Sequence, residues 1–78
     1  MTKIQILGIG CAKCTQLGKN ALSAANDLGI DYEFEKVTDI NQIMAFGVMM
    51  TPALVVNGQV KLAGKLANID QIKRLLTE

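Results

Sequence analysis

Ile4-Gln5-Ile6-Leu7-Gly8-Ile9-Gly10-Cys11-Ala12-Lys13-Cys14 is the stretch on which the reading of this chain turns. Residues 3–7 read as a short strand, apolar at Ile4, Ile6 and Leu7. Two glycines interrupt it, and from Ala12 onward the spacing becomes helical. Cys14, Leu17, Ala21, Leu22, Ala25 and Leu28 recur as one face of a helix over 12–28. Gly18 shares that face, where it would let a neighbouring element approach closely. Gly29 follows, in the place where a helix end commonly needs a left-handed residue. Cys11 and Cys14 are the only cysteines in the chain, and they fall where strand hands over to helix.

Beyond Gly29 the period changes to two. Ile30, Tyr32 and Phe34 alternate with Asp31, Glu33 and Glu35, which predicts a half-buried strand over 31–36. Its charges suit the edge of a sheet. Asp39 then opens a short helix, with Gln42 placed three residues later as in a capping box. Ile40, Ile43 and Met44 make its apolar face, and Gly47 ends it. Pro52-Ala53-Leu54-Val55-Val56 is apolar throughout and predicts a strand buried on both faces, with proline at its start. Asn57-Gly58 is a strong hairpin signal. The returning strand runs from Gln59 to Ala63, with Val60 and Leu62 pointing inward, and Gly64 breaks it. Asn68 and Gln71 form a second capping box at the start of a last helix over 68–77. Ile69, Ile72, Leu75 and Leu76 face the core there, and Lys73 and Arg74 lie in the last turn, where cations suit the helix dipole.

The order is therefore β-α-β-α-β-β-α. The two most apolar strands belong in the middle of the sheet and the charged ones at its edges. A right-handed crossover makes the first two strands parallel, and the hairpin makes the last two antiparallel. The expected architecture is α/β, a four-stranded mixed sheet of order 2-1-3-4 with helices on both faces.

Composition narrows the function. The chain has 78 residues, half of them apolar, and is read as one domain spanning 1–78. A chain this short buries only roughly 60% of its unfolded surface, which still suffices for one core. Eight basic and seven acidic residues leave a net charge of +1 with no basic stripe, which argues against nucleic acid as a partner. One Tyr and two Phe offer little for base stacking. No apolar run approaches the ~18 residues of a membrane span, and the N-terminus reads as a strand rather than a signal peptide. The expected compartment is the cytoplasm, where a close cysteine pair is more often catalytic, redox-sensing or metal-binding than a structural staple.

The position of the pair suggests its chemistry. A thiol at a helix N-terminus feels the positive end of the dipole, which favours thiolate. Thiols in such settings fall from about 8.5 into the ~3.5–7.5 range. Cys11, at the turn into the helix, is expected to be the more exposed thiol and the nucleophile. Lys13 would add to the stabilisation of its thiolate. Cys14, one turn later and facing inward, would resolve the mixed disulfide. Met49 and Met50 precede Thr51-Pro52, and one of them is expected in the core and the other on a docking surface, since methionine serves in both places.

Gly8 to Cys14 after the first strand, and Met50-Thr51-Pro52 before the third, resemble the two active-site loops of the thioredoxin fold. Across nearly its whole length the chain is similar to the minimal, glutaredoxin-sized redox-active disulfide proteins of prokaryotes. The resemblance implies a thiol–disulfide oxidoreductase that uses Cys11 and Cys14 as the catalytic pair and needs no cofactor or metal. It implies that Pro52 is cis and lies beside the cysteines, and that the backbone of Thr51 pairs with an extended substrate, flanked by Met50 and Gly10. Base rates alone would make that proline trans. The chain departs from thioredoxins at Gly10, where an aromatic residue is usual, at Ala12-Lys13 between the cysteines, and at Gln5, near the place of a buried acid. It lacks the basic residue that glutaredoxins place before the first cysteine and their acidic pair at the last helix. The implied partners are a disulfide-bearing protein or small dithiol, and a reductase, rather than glutathione; the chain itself is expected to be a monomer.

A binding module is the alternative. Two thiolates suit Cu(I) or another soft ion, and soft-metal chaperones also place Cys-x-x-Cys after a first strand. Those domains carry methionine two residues before the first cysteine, where Ile9 stands here, and they end on a strand. Zinc lacks support because the chain has no histidine and a structural site takes four ligands. An iron–sulfur cluster bridged between two chains, or an interaction domain with idle cysteines, are the remaining readings.

Overall fold

The computed structural model describes residues 2–10 and 12–77. Strand β1 (Thr2–Leu7) leads to helix α1 (Ala12–Leu28), strand β2 (Tyr32–Val37), helix α2 (Ile40–Ala45), the hairpin β3 (Ala53–Val56) and β4 (Gln59–Ala63), and helix α3 (Ile69–Thr77). The strands form one sheet of order β2-β1-β3-β4. β1 runs parallel to β2 and antiparallel to β3, and β4 is antiparallel to β3. This is the mixed 2-1-3-4 sheet that the sequence predicts.

Local chemistry accounts for the element ends. Gly29 has φ +66° and donates its N–H to Asn26 O, while Ile30 N–H reaches Ala25 O, the two bonds of a Schellman stop. Asp39 caps α2 by accepting from Asn41 N–H at 2.8 Å. Asn68 and Gln71 cap α3 reciprocally: Gln71 N–H donates to Asn68 Oδ1 at 2.8 Å, and Asn68 N–H to Gln71 Oε1 at 3.0 Å. Asn57 and Gly58 both have positive φ, as a two-residue hairpin turn of the I′ type demands.

Strand alternation divides the core in two. Ile4, Ile6, Leu54 and Val56 face one side of the sheet and pack with Leu17, Ala21, Ala24 and Ala25 of α1 and Ile72 of α3. Ile69, Leu75 and Leu76 of α3 pack against the same cluster, as expected. Ala24 takes a fully buried place, whereas Leu22 and Leu28 stay half-buried at the flanks of α1. Gly18 is where β2 comes close, since a Cβ there would lie 3.4 Å from Phe34 Cζ. Asn20 Nδ2 donates to Ala67 O at 2.9 Å, and Lys73 meets Asp27 at 3.3 Å, so polar contacts also tie α1 to α3 and the segment before it. On the other side Leu7, Val37, Val48, Ala53 and Val55 pack with Ile43, the only buried residue of α2.

Two expectations about side-chain direction are corrected. Val60 and Leu62 do not share a face. Leu54 pairs with Leu62 but Val55 pairs with Val60, so the register shifts by one at Lys61. That bulge turns Val60 to the α2 side of the sheet, where it is exposed. The apolar face assigned to α2 is likewise mostly outside the core, because Ile40 and Met44 are exposed. A helix of six residues makes less than two turns and has room to bury little more than one side chain.

Candidate functional site

Three chain segments meet at one end of the central strands. The first is the turn Gly8-Ile9-Gly10 after β1, in which Gly10 has φ +95° and is exposed. The second is the first turn of α1, with Lys13 exposed and Cys14 buried. The third is the segment from Gly47 to Pro52 that enters β3, where the Thr51–Pro52 peptide bond is cis. Pro52 is buried and Thr51 exposed. Cys11, assigned as the nucleophile, lies outside the described residues; in the chain it immediately precedes Ala12, the first residue of α1.

Gly8 decides how these segments fit together. Only 6% of Cys14 is exposed, and its side chain lies directly on Gly8: a Cβ added there would collide with Cys14 Sγ and stand 3.1 Å from Cys14 Cβ. The same position is 3.9 Å from Thr51 Cβ. The glycine therefore makes room for the sulfur beside the Thr51-Pro52 turn. Gly8 has no side-chain chemistry, so its role in seating Cys14 shows in the fold. The available signal was a glycine at the very end of a buried strand, a place where close approach of another element is the usual reason.

A small recess of about 40 Å³ opens beside Cys14, lined by Ile6, Gly8, Gly10, Thr15, Lys36 and Thr38. It is large enough for a water molecule. Gln5 does not reach it. Strand alternation places Gln5 with Leu7 and Val55 on the α2 side of the sheet, and its Nε2 donates to Glu35 Oε1 at 2.8 Å. The polar groups facing the recess come instead from Thr15, Lys36 and Thr38.

Thr51 borders a second, larger and open groove of about 430 Å³. Ile9, Ile40, Ile43, Met44, Val48 and Met49 line it together with Gly47 and Thr51. None of the described residues on its walls is charged. The expectation that one of Met49 and Met50 enters the core is corrected here, since both are exposed and Val48 occupies the buried place before them. Gly64, with φ +73°, leaves room for Met50, whose Sδ would lie 3.3 Å from a Cβ at that glycine. Ile9, Ile40 and Met44 were not singled out as site residues, because their apolar character at helical or strand spacing looks the same whether it ends in a core or beside a groove.

Comparisons with known proteins bear on the family of the chain. The family profile described as "Thioredoxin domain" matches residues 2–77. A thioredoxin of Methanothermobacter thermautotrophicus (strain Delta H) is 47% identical over 77 residues, covering 99% of this chain and 100% of that protein. A thioredoxin of Methanocaldococcus jannaschii is 40% identical over 76 residues, covering 97% of this chain and 87% of that protein.

Proposed function

The chain belongs to the thioredoxin family and is a thiol–disulfide oxidoreductase, and from that premise we propose that Cys11 and Cys14 are its catalytic pair, within a single domain spanning 1–78. The Cys11 thiolate attacks one sulfur of a partner disulfide. A mixed disulfide forms and the partner's other sulfur leaves as a thiolate. Cys14 then attacks the Cys11 sulfur, closes the Cys11–Cys14 disulfide and releases the second partner thiolate, so that two electrons pass to the partner. A reductase or dithiol returns those electrons. The observation that carries this reading is the seating of Cys14 on Gly8, shielded from solvent yet beside Thr51 and the cis Pro52. A resolving thiol held this way is shielded from outside reagents.

Each remaining group has a part in the same scheme. The start of α1 places a positive helix end at the pair, and the exposed Lys13 adds a cation there. The recess lined by Thr15, Lys36 and Thr38 gives the Cys14 proton a route to water. Thr51 offers its backbone to an extended substrate segment, with Gly10 and Met50 flanking the approach. The uncharged groove beyond Thr51 receives an apolar side chain next to the target cysteine, which favours protein disulfides over a charged tripeptide such as glutathione. No helix among the described residues is long and apolar enough to cross a membrane. We assign the protein to the cytoplasm as a monomer acting on such partners without cofactor or bound metal.

The test is equilibration of the purified protein in graded dithiol/disulfide buffers, followed by alkylation and thiol counting, with metal content measured on the same sample. A reversible two-electron transition is expected in metal-free wild type, and none in Cys14→Ser. Cys11→Ser is expected to lose turnover of a protein disulfide entirely, whereas Cys14→Ser retains a trapped mixed disulfide with it. Two thiols that alkylate regardless of buffer, or thiols masked by stoichiometric copper, would overturn the assignment.

A further inference from the structure

The groove beside the cysteine loop is walled in part by thioethers, and this has a chemical consequence of its own. Met49 is 97% exposed and Met44 66%, and both face the groove together with Ile9, Ile40 and Thr51. Met50 is 64% exposed, but its sulfur rests against Gly64. Thioethers are soft, oxidisable and adaptable to apolar partners, so they serve docking well only while reduced. Among the described residues on the groove wall, Thr51 is the one whose side chain carries a hydrogen-bond donor. A sulfoxide formed there would present a strong acceptor to a partner surface that must be desolvated, with almost nothing to satisfy it.

We propose that Met44 and Met49 are sites of reversible oxidation by hydroperoxides, and that their sulfoxides switch off docking of protein disulfides while leaving the cysteine chemistry intact. The inference rests on the reading of the groove as the docking surface. In the step, the thioether sulfur attacks the outer oxygen of the hydroperoxide and the O–O bond breaks. The sulfur gains one oxygen and loses two electrons, and the peroxide leaves as water or an alcohol after taking up the proton. Thiol–disulfide exchange does not reverse this reaction. The modified state therefore persists through catalytic cycles until a methionine sulfoxide reductase restores the thioether. Oxidation of the cysteine pair and of the thioethers would then be read out separately: the first is erased at each turnover, and the second records longer exposure.

The experiment uses the full chain. The protein is first oxidised to its disulfide form, which protects the cysteines, then treated with hydrogen peroxide, and then reduced with dithiothreitol, which leaves sulfoxides in place. Peptide mass mapping follows oxygen uptake at each methionine. Rates are measured on insulin disulfides and on a small aromatic disulfide, and each protein is judged by its own ratio of rate after treatment to rate before. Met49 and Met44 are expected to gain oxygen before Met50. The insulin rate is expected to fall about tenfold while the rate on the small disulfide stays within about twofold, and methionine sulfoxide reductase is expected to restore the first. In a Met44→Leu/Met49→Leu protein the ratio on insulin is expected to stay near one. Full oxygen uptake at Met44 and Met49 with an unchanged insulin rate would overturn the proposal, as would an equal loss in the double variant. Untreated protein that turns over the small disulfide but not insulin would overturn the groove reading itself, and inactivity on both would overturn the cysteine assignment.

Discussion

On the α1/α3 side of the sheet, Leu17, Leu54 and Ile72 are wholly shielded from solvent, and three alanines of α1 let the helix lie close to the strands. On the α2 side, a helix of six residues buries Ile43 alone and leaves Ile40 and Met44 in solvent. Both sides draw on similar apolar sequence. What separates them is helix length. Seventeen residues make a cylinder about 26 Å long that covers the central strands, whereas six residues cover one patch and leave a groove behind them. The long helix spends its apolar residues on the core, and the short one presents them next to the cysteine loop. Under the proposed function, the sheet carries its larger core cluster on one face and the docking groove on the other.

The sharpest way to break that division is to compare truncations across the sheet. Leu17→Ala on the α1 side is expected to cost about 2–5 kcal/mol, measured by denaturant unfolding with an unchanged slope. A cost below about 1 kcal/mol would mean that the α1 core is looser than its burial indicates.

Much of this division was legible in the residues. The bounds of α1, the order of the strands and the cap of α3 follow from patterns with a single physical reading: an apolar stripe ended by Gly29, an all-apolar run before Asn57-Gly58, and Asn68 with Gln71. What could not be read is where an apolar residue ends up once the chain meets a partner element. Val60 and Leu62 alternate correctly for one face, but the extra residue at Lys61 splits them, and the pairing that creates the bulge involves Leu54 and Val55 of another strand. Ile40 and Met44 have helical spacing, but whether they are covered depends on how much sheet a short helix can reach. Gly8 needed the position of Cys14, which the chain brings back from the first turn of α1. Cys14 and Thr51 come together around Gly8, and that convergence was implied by family resemblance rather than by spacing.

The next two predictions sharpen the account of the α1/α3 layer. Asn68→Ala removes one half of the reciprocal cap and is expected to cost about 1 kcal/mol. Asn68→Gly should recover most of that loss if capping alone is at stake. Gly18→Ala is expected to act in the opposite direction. Glycine inside a helix costs roughly 0.5–1 kcal/mol relative to alanine, and an added Cβ would sit 3.4 Å from Phe34 Cζ and 3.9 Å from Ile6 Cγ1, at the edge of ordinary contact. A rise in unfolding free energy of that size is expected. A fall would show that Phe34 cannot yield and that Gly18 is required for the packing of β2 on α1.

The smallest expected change in stability is also the one that tests the α2 side most directly. Ile40→Ala and Met44→Ala remove side chains that are already largely in water, so little apolar burial is lost and unfolding free energies should stay within about 0.5 kcal/mol of wild type. Alanine is a good helix former, so propensity adds no penalty. Turnover of a protein disulfide should nevertheless weaken, through a KM a few-fold higher, because the groove loses part of its wall. The rate on a small disulfide should not change, since the cysteine loop is untouched. If either truncation instead unfolded the protein as Leu17→Ala does, α2 would be part of the structural core after all. The contrast between the two faces would then be one of degree, and the exposed apolar residues beside Thr51 would need an explanation other than docking.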